Sequence, residues 1–231
     1  MTTIGNNLER LRARIAAACA AAGRAPQSVR LLAVSKTFGP EAVREALAAG
    51  QRAFGENYLQ EGVAKAQALA GAGIEWHCIG PVQSNKTRLA AEHFDWVHSV
   101  DRLKTAERLS AQRPAGLAPL NVCLQVDIDG GANKSGVPPA EAAALAHAVA
   151  ALPRLRLRGL MTIPEPVQDP AAQRAVHRRA RALFDALRAQ GLPLDTLSMG
   201  MSADLEAAIE AGSTLVRVGT AIFGGRARPA P

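Results

Sequence analysis

The chain has 231 residues, a size that suits either two small domains or one α/β barrel. Hydrophobic residues make up 48% but aromatic residues only 3%, so surfaces that stack bases or sugars on aromatic rings are not expected. The formal net charge of +7 comes mainly from arginines in Ala-rich helical segments such as 174–188, a pattern typical of a solvated helix face, and we expect no nucleic-acid partner.

Cysteine and histidine spacing and the lack of long apolar runs exclude further classes of protein. Cys19, Cys78 and Cys123 are far apart, which argues against a disulfide framework and against structural zinc. The five histidines form no HxxxH or HExxH motif, so no metal site is expected. No run approaches the ~18 apolar residues of a membrane span, and the amino terminus lacks an apolar signal segment. We expect a cytoplasmic protein without a membrane partner.

Strand-like and helix-like segments alternate along the chain. A first helix is predicted over 7–22, and the apolar run 31–36 then predicts a buried strand. Gly39-Pro40 opens the next helix, which ends near Gly50. The same rhythm continues with strands predicted at 53–57, 75–80, 96–100, 121–127, 156–163, 196–200 and 215–219, and with its clearest helices at 141–151, 171–190 and 203–211.

Eight strands separated by helices predict a closed, parallel (β/α)₈ barrel of the TIM type. An open, doubly wound sheet is the rival architecture, but no GxGxxG motif follows the first strand. No low-complexity linker interrupts the pattern, so we expect a single domain over 1–231, with 226–231 as a disordered tail.

Lys36 ends the first apolar strand, where a charged side chain is disfavoured. The carboxyl ends of barrel strands form the face that carries active sites. Desolvation there lowers the pKa of an amine and makes it a nucleophile toward an aldehyde. The spacing alone fits equally well a lysine that leaves the strand and faces water.

The last two strand exits favour the functional interpretation of Lys36. In barrels, the loops after strands seven and eight often hold a phosphate group. The first of these loops contains Met201 and Ser202, and Ser202 is also a candidate N-cap for the helix at 203–211. The second contains Gly219 and Thr220. Each glycine-hydroxyl turn is weak evidence alone, but two at these positions predict a phosphate site opposite Lys36.

Arg217 shares a strand face with Leu215 and Gly219 and should point into the barrel. There it either pairs with a carboxylate or donates to a ring nitrogen, which an arginine would keep unprotonated. Asn57, at the second strand exit, can bind a cofactor hydroxyl or cap the following helix.

Three further residues favour ordinary structural roles. His77 lies in an apolar strand and is expected to be a hydrogen-bonded core histidine. Met161 is expected to fill the barrel. Lys134, in a polar turn after the fifth strand, can contact an anion or provide a second cofactor site, but solvent exposure is the expected state.

Motifs along nearly the whole chain resemble those of the pyridoxal phosphate homeostasis protein family. They are AVSK at 33–36, FGENY at 54–58, WHCIGPVQSNK at 76–86, KSG at 134–136, RGLM at 158–161, LSMGMS at 197–202 and VRVGTAIFG at 216–224. The resemblance implies a barrel like the N-terminal domain of alanine racemase, with pyridoxal 5′-phosphate (PLP) as cofactor.

By this resemblance, Lys36 forms the Schiff base and Arg217 faces the pyridine nitrogen. Asn57 lies beside the ring, and the phosphate is held by Ser202, Gly219 and Thr220 with main-chain help from Met201. The resemblance further implies a role in PLP homeostasis and in amino- and keto-acid balance, without established turnover. PLP-dependent apoenzymes are possible partners, and both delivery to them and simple buffering stay open. A monomer is expected, because no heptad or long exposed apolar strand demands a partner.

Three rival functions stay open at this point. A PLP-dependent racemase-type enzyme would normally need a second, β-rich domain and a tyrosine base, whereas this chain has one tyrosine, Tyr58. A Schiff-base aldolase would use Lys36 without a cofactor. A nucleic-acid binder would use the net positive charge, and its affinity would fall steeply with salt.

Overall fold

The structure, a computed structural model, describes residues 3–130 and 135–225. Eight parallel strands follow one another around a closed barrel in sequence order, and the last pairs with the first. The strands are β1 (Arg30–Val34), β2 (Ala53–Glu56), β3 (Glu75–Cys78), β4 (Trp96–Val100), β5 (Leu120–Gln125), β6 (Leu155–Met161), β7 (Thr196–Ser198) and β8 (Leu215–Val218). The predicted (β/α)₈ barrel is confirmed.

In this part of the chain, one α-helix precedes β1, one α-helix follows each of the eight strands, and together they surround the barrel. They are α1 (Thr3–Ala21), α2 (Pro40–Ala48), α3 (Leu59–Ala68), α4 (Thr87–His93), α5 (Leu103–Gln112), α6 (Ala142–Ala150), α7 (Pro170–Ala189), α8 (Leu205–Glu210) and α9 (Thr220–Phe223). None of those in the described ranges is both long and apolar enough to cross a membrane. The expected tail at 226–231 lies outside the described residues.

The main apolar core lies between the barrel wall and the helices. It is built largely from aliphatic side chains, with Phe54, Phe94 and Phe184 among the few rings. The barrel interior is different, because apolar groups share it with buried polar and charged side chains. Met161 packs there against Trp96 and Cys123, so it fills the barrel as predicted.

Helix α1 packs across α8 and α9, beside the seam where β8 meets β1. The Asn7 side-chain amide donates to the carbonyl of Ile222 at 2.8 Å. Arg14 forms two hydrogen bonds to the carboxylate of Glu206, at 2.6 and 2.7 Å. Its guanidinium also donates to the carbonyl of Ser202 at 3.0 Å. The first helix therefore anchors the chain segments that follow the last two strands.

Candidate cofactor site

A cavity of about 570 Å³ opens at the carboxyl ends of the strands. This volume falls within the range of small-molecule sites, roughly 300–1,000 Å³. The cavity wall includes every residue that the sequence analysis assigned to the cofactor, namely Lys36, Asn57, Met201, Ser202, Arg217, Gly219 and Thr220. Four separate strand exits, those of β1, β2, β7 and β8, contribute these residues, so the fold brings together side chains up to 184 positions apart in the sequence.

Lys36 follows β1 by two residues. Ser35 still pairs with β2, because its N–H donates to the carbonyl of Gly55 at 3.0 Å. The chain then turns, since the N–H of Phe38 donates back to the carbonyl of Ser35 at 3.1 Å. Lys36 is half-buried and lines the cavity, so its side chain is not simply directed into bulk water.

A polar cluster lies behind this strand exit, and we call it the Lys65 cluster: the buried residues Ser35, Glu56 and Lys65 with the partly buried Glu61. The Lys65 ammonium donates to Glu56 at 2.8 Å, to Glu61 at 2.7 Å and to the carbonyl of Ser35 at 2.8 Å. The Ser35 hydroxyl donates to the same Glu56 oxygen at 2.6 Å. Burial raises the pKa of Glu56, and its hydrogen bonds with Lys65 and Ser35 only partly oppose that effect. All three ammonium hydrogens are thus used within the cluster.

The Lys65 cluster holds the backbone on both sides of Lys36. On one side, the carbonyl of Ser35 accepts from Lys65. On the other, the N–H of Thr37 donates to the Glu61 carboxylate at 2.6 Å. Thr37 has a φ of 70°, a left-handed conformation that is rare for a β-branched residue. The surrounding contacts therefore impose this geometry next to the candidate nucleophile.

Arg217 points into the barrel, as predicted, and is only 4% exposed. Its guanidinium donates to the carbonyl and the hydroxyl of Ser198, at 2.7 and 2.8 Å, and to the carbonyl of Thr162 at 2.8 Å. Burial lowers the pKa of Arg217 to about 10, so the group stays charged at neutral pH. Lys36 and Arg217 contribute two basic groups to the cavity, and no carboxylate is among its described lining residues. This electrostatic balance favours an anionic ligand.

The loop after β7 differs from the prediction in one respect. Ser202 is not the N-cap of the next helix, because α8 begins at Leu205 and residues 202–204 form turns. Asp204 precedes that helix, but its carboxylate accepts from the N–H of Met201 at 2.7 Å and meets His177 at 2.9 Å. Although burial alone would raise it, these contacts lower the pKa of Asp204. The turn leaves Ser202 on the cavity wall.

The exit of β8 approaches the exit of β1 closely at Gly219. A Cβ atom on Gly219 would lie 2.9 Å from the carbonyl oxygen of Val34, so any side chain would force the two strand ends apart. Thr220 follows directly as the first residue of α9. The glycine therefore brings the Thr220 turn and Lys36 to the wall of the same cavity.

Asn57 lies on the cavity wall and does not cap the next helix, whose N-cap is Tyr58. Its backbone is in close contact with Gly80, at the exit of β3. A Cβ atom on Gly80 would lie 2.1 Å from the carbonyl oxygen of Asn57. Gly80 thus allows the second and third strand exits to approach each other.

Replacing Gly80 with alanine is expected to lower the free energy of unfolding by about 1–3 kcal/mol, because the new methyl group meets rigid backbone. Urea denaturation of the PLP-free protein would measure the loss. Gly116→Ala is the matched control, since nothing lies within 4 Å of a Cβ atom there. We expect it to change stability by less than about 0.5 kcal/mol. Equal stability of the two variants would contradict this role of Gly80.

His77 and Lys134 were the remaining sequence candidates. His77 is fully buried, stacks on Trp96 at 5.2 Å and has hydrogen-bond partners, so the expected core histidine is confirmed. Lys134 lies outside the described residues. The sequence analysis did not identify the apolar part of the cavity wall, which includes Ile79 and Ile163. Ile163 is the last residue of the strand predicted at 156–163, and Ile79 is the second to last of the strand predicted at 75–80; that placement is the signal that would have indicated them.

Comparison with known proteins places the chain in a family. The family model for the alanine racemase N-terminal domain matches residues 6–227. The pyridoxal phosphate homeostasis protein of Pseudomonas aeruginosa is 62% identical over 231 residues, covering 100% of this chain and 99% of that protein. The pyridoxal phosphate homeostasis protein of Escherichia coli K12 is 56% identical over 229 residues, covering 98% of this chain and 98% of that protein.

A solved structure of PipY from Synechococcus elongatus with PLP bound has 40% sequence identity and a TM-score of 0.84. The match covers 96% of this chain and 100% of that one. The family resemblance inferred from the motifs is therefore confirmed over nearly the full length of the chain. This chain belongs to the pyridoxal phosphate homeostasis protein family, whose fold is that of the N-terminal domain of alanine racemase.

Proposed function

We propose that this protein binds PLP as a Schiff base with the Nζ of Lys36 and serves PLP homeostasis rather than catalytic turnover. One observation carries the proposal: Lys36, Arg217 and two loops that contain glycine and hydroxyl groups line a single cavity. A relative with a TM-score of 0.84, PipY, has been solved with PLP bound. The names of the curated relatives support the homeostatic role, and balance of amino and keto acids is part of the proposal.

Each lining residue has a role suited to one part of the cofactor. Ser202, Gly219 and Thr220 would hold the phosphate, with main-chain help from Met201, and Asn57 would lie beside the ring. Arg217 would face the pyridine nitrogen as a donor. The proposed PLP-binding domain covers the whole chain, 1–231.

The residues of the cavity favour binding over turnover. PLP supplies an electron sink for reactions at the α-carbon of amino acids, and the sink is strongest when the ring nitrogen is protonated. Arg217 stays protonated at neutral pH and would leave that nitrogen without a proton. Tyr58, the single tyrosine of the chain, is 53% exposed and does not line the cavity, so it is a poor candidate for a racemase base.

Absorption spectra before and after borohydride reduction would test the proposal. Purified protein mixed with PLP and desalted should retain a visible band, which reduction should remove. Mass spectrometry should then locate one reduced pyridoxyl group on Lys36. A colourless protein that borohydride traps only with a sugar or a keto acid would instead favour the aldolase. Exchange of an amino acid α-proton faster than with free PLP would favour the racemase-type enzyme.

A further inference from the structure

A continuous series of hydrogen bonds runs along the barrel interior, from the end opposite the cavity up to Arg217. Glu75 meets Nε2 of His77 at 2.6 Å, and Nδ1 of His77 meets Nε2 of His98 at 2.9 Å. Nδ1 of His98 meets the hydroxyl of Ser198 at 3.0 Å, and that hydroxyl accepts from Arg217 at 2.8 Å. We call these five residues the histidine chain.

The interior members of the histidine chain are sealed from solvent. Both imidazoles and Ser198 are 0% exposed, whereas the side chain of Glu75 is 36% exposed at the other end of the barrel. The rings of His77 and His98 lie 5.1 Å apart, and Trp96 stacks on His77. Burial lowers the pKa of both histidines, well below its usual value for His98, so both imidazoles are neutral at neutral pH.

The negative charge of Glu75 at one end and the positive charge of Arg217 at the other give every hydrogen bond in the histidine chain one direction. Burial would raise the pKa of Glu75, but the hydrogen bond from His77 and the ion pair with Arg30 lower it to about 2, so its carboxylate only accepts. Nε2 of His77 must therefore carry the hydrogen, and its Nδ1 must accept. The same reasoning makes His98 a donor through Nε2 and an acceptor through Nδ1. The Ser198 hydroxyl consequently donates to His98.

This direction determines what Ser198 offers to Arg217. Its hydroxyl hydrogen is committed to His98, so its oxygen presents a lone pair to the guanidinium. In the reverse direction, His98 and Arg217 would both donate to that oxygen, and the serine hydrogen would need another acceptor inside the barrel. An unsatisfied buried donor is costly, so a mixed or reversed chain would loosen the contact that orients Arg217.

We propose that Glu75 is a positioning residue for Arg217: by imposing one tautomer on His77 and His98, it fixes the guanidinium for the ring nitrogen of the cofactor. The inference rests on the proposed function, in which Arg217 faces that nitrogen. Carboxylates that orient histidines in this way are common around metal sites, where they fix both tautomer and ring orientation. Here the carboxylate acts through two imidazoles and a serine.

Glu75 also forms an ion pair with Arg30 at 2.7 Å, and this pair provides the matched control. Glu75→Gln keeps the size of the side chain but presents both a donor and an acceptor to His77, so it no longer imposes a direction. Arg30→Met removes the ion pair but leaves the carboxylate on His77. A role through the ion pair alone predicts similar effects for both variants, whereas positioning through the histidine chain predicts an effect for Glu75→Gln only.

Nitrogen-15 NMR of the histidine side chains in PLP-free protein would read the tautomers directly. We expect the wild type and Arg30→Met to show His77 and His98 protonated only at Nε2. Glu75→Gln should show a second tautomer in both rings. The dissociation constant for PLP, followed by absorption titration, should rise about 3- to 30-fold in Glu75→Gln and less than about 2-fold in Arg30→Met.

Four outcomes would overturn the proposal. They are Nδ1 protonation of either histidine in the wild type, unchanged histidine signals in Glu75→Gln, unchanged PLP affinity in that variant, and equal effects of Arg30→Met. The first needs no variant, so it decides the matter even if Glu75→Gln does not fold. A wild type that shows the expected tautomers but binds no PLP would refute the proposed function. It would then also refute the role of the histidine chain in positioning Arg217 for the cofactor.

Discussion

Alanine in place of Lys36 should abolish the borohydride-trapped adduct and lower the PLP retained after desalting by more than about tenfold. The amine is the one group in the described cavity wall that can condense with an aldehyde. Ser202, Gly219, Thr220 and Arg217 would remain, so we expect weak, non-covalent binding to survive. Mass spectrometry after reduction and a titration of the visible band would measure the two effects separately.

Lys104→Ala is the matched control for this experiment, because Lys104 is exposed on α5 and does not line the cavity. It should retain both the adduct and the visible band. Lys36→Arg adds a second control, since it preserves the positive charge but not the nucleophilic amine. An adduct that persists at another lysine in Lys36→Ala would show that the covalent site has been assigned to the wrong residue.

The second large effect is expected from the Lys65 cluster. Lys65→Met would leave the carboxylate of Glu56, which is 0% exposed, without its buried cation. Breaking one partner of a buried ion pair typically costs about 3–5 kcal/mol, and we expect a loss of this size in the free energy of unfolding. PLP affinity should fall as well, because the cluster holds the backbone on both sides of Lys36.

Urea denaturation of PLP-free protein would measure this loss against two controls. Arg88→Met removes an exposed ion pair with Glu92, and it should cost less than about 1 kcal/mol. The double variant Lys65→Met with Glu56→Gln should be more stable than the sum of the single losses predicts, because it removes both buried charges. A cost below about 1 kcal/mol for Lys65→Met would contradict a structural role for the buried pair.

Much of the fold could be predicted because strands and helices alternate with clear turn signals. The predicted strand at 96–100 agrees with β4 at both ends, since Asp95 and Asp101 interrupt the apolar pattern there. Other predicted strands ran one to two residues past the observed ends; the strand predicted at 31–36, for example, ends at Val34. These predictions are too long because the residues just after a strand line the cavity and remain partly apolar. The apolar pattern therefore continues although the ladder of hydrogen bonds has ended.

The residues that line the cavity could be predicted from the sequence because they lie at or near strand exits, and such exits converge in a barrel. The polar groups that position them could not. Ser198 and His98 are 100 positions apart, and nothing in either local segment indicates that they meet. Lys65 resembles any lysine of an amphipathic helix until the register of α3 against β2 places it over Glu56. The incorrect prediction of Ser202 as an N-cap has a similar origin. The turn at 202–204 involves Asp204, whose carboxylate contacts His177, and the sequence does not reveal that tertiary contact.

The attachment of α1 to the loop after β7 has a consequence for biosynthesis. Arg14 and the carbonyl that it binds on Ser202 are separated by 188 positions, so α1 cannot form this contact until the segment after β7 has been synthesised. A nascent chain stalled before Gly219 would already contain Lys36, the proposed Schiff-base residue, but not the turn expected to bind the phosphate. Capture of PLP should therefore begin only after the turn that follows β8 has been synthesised.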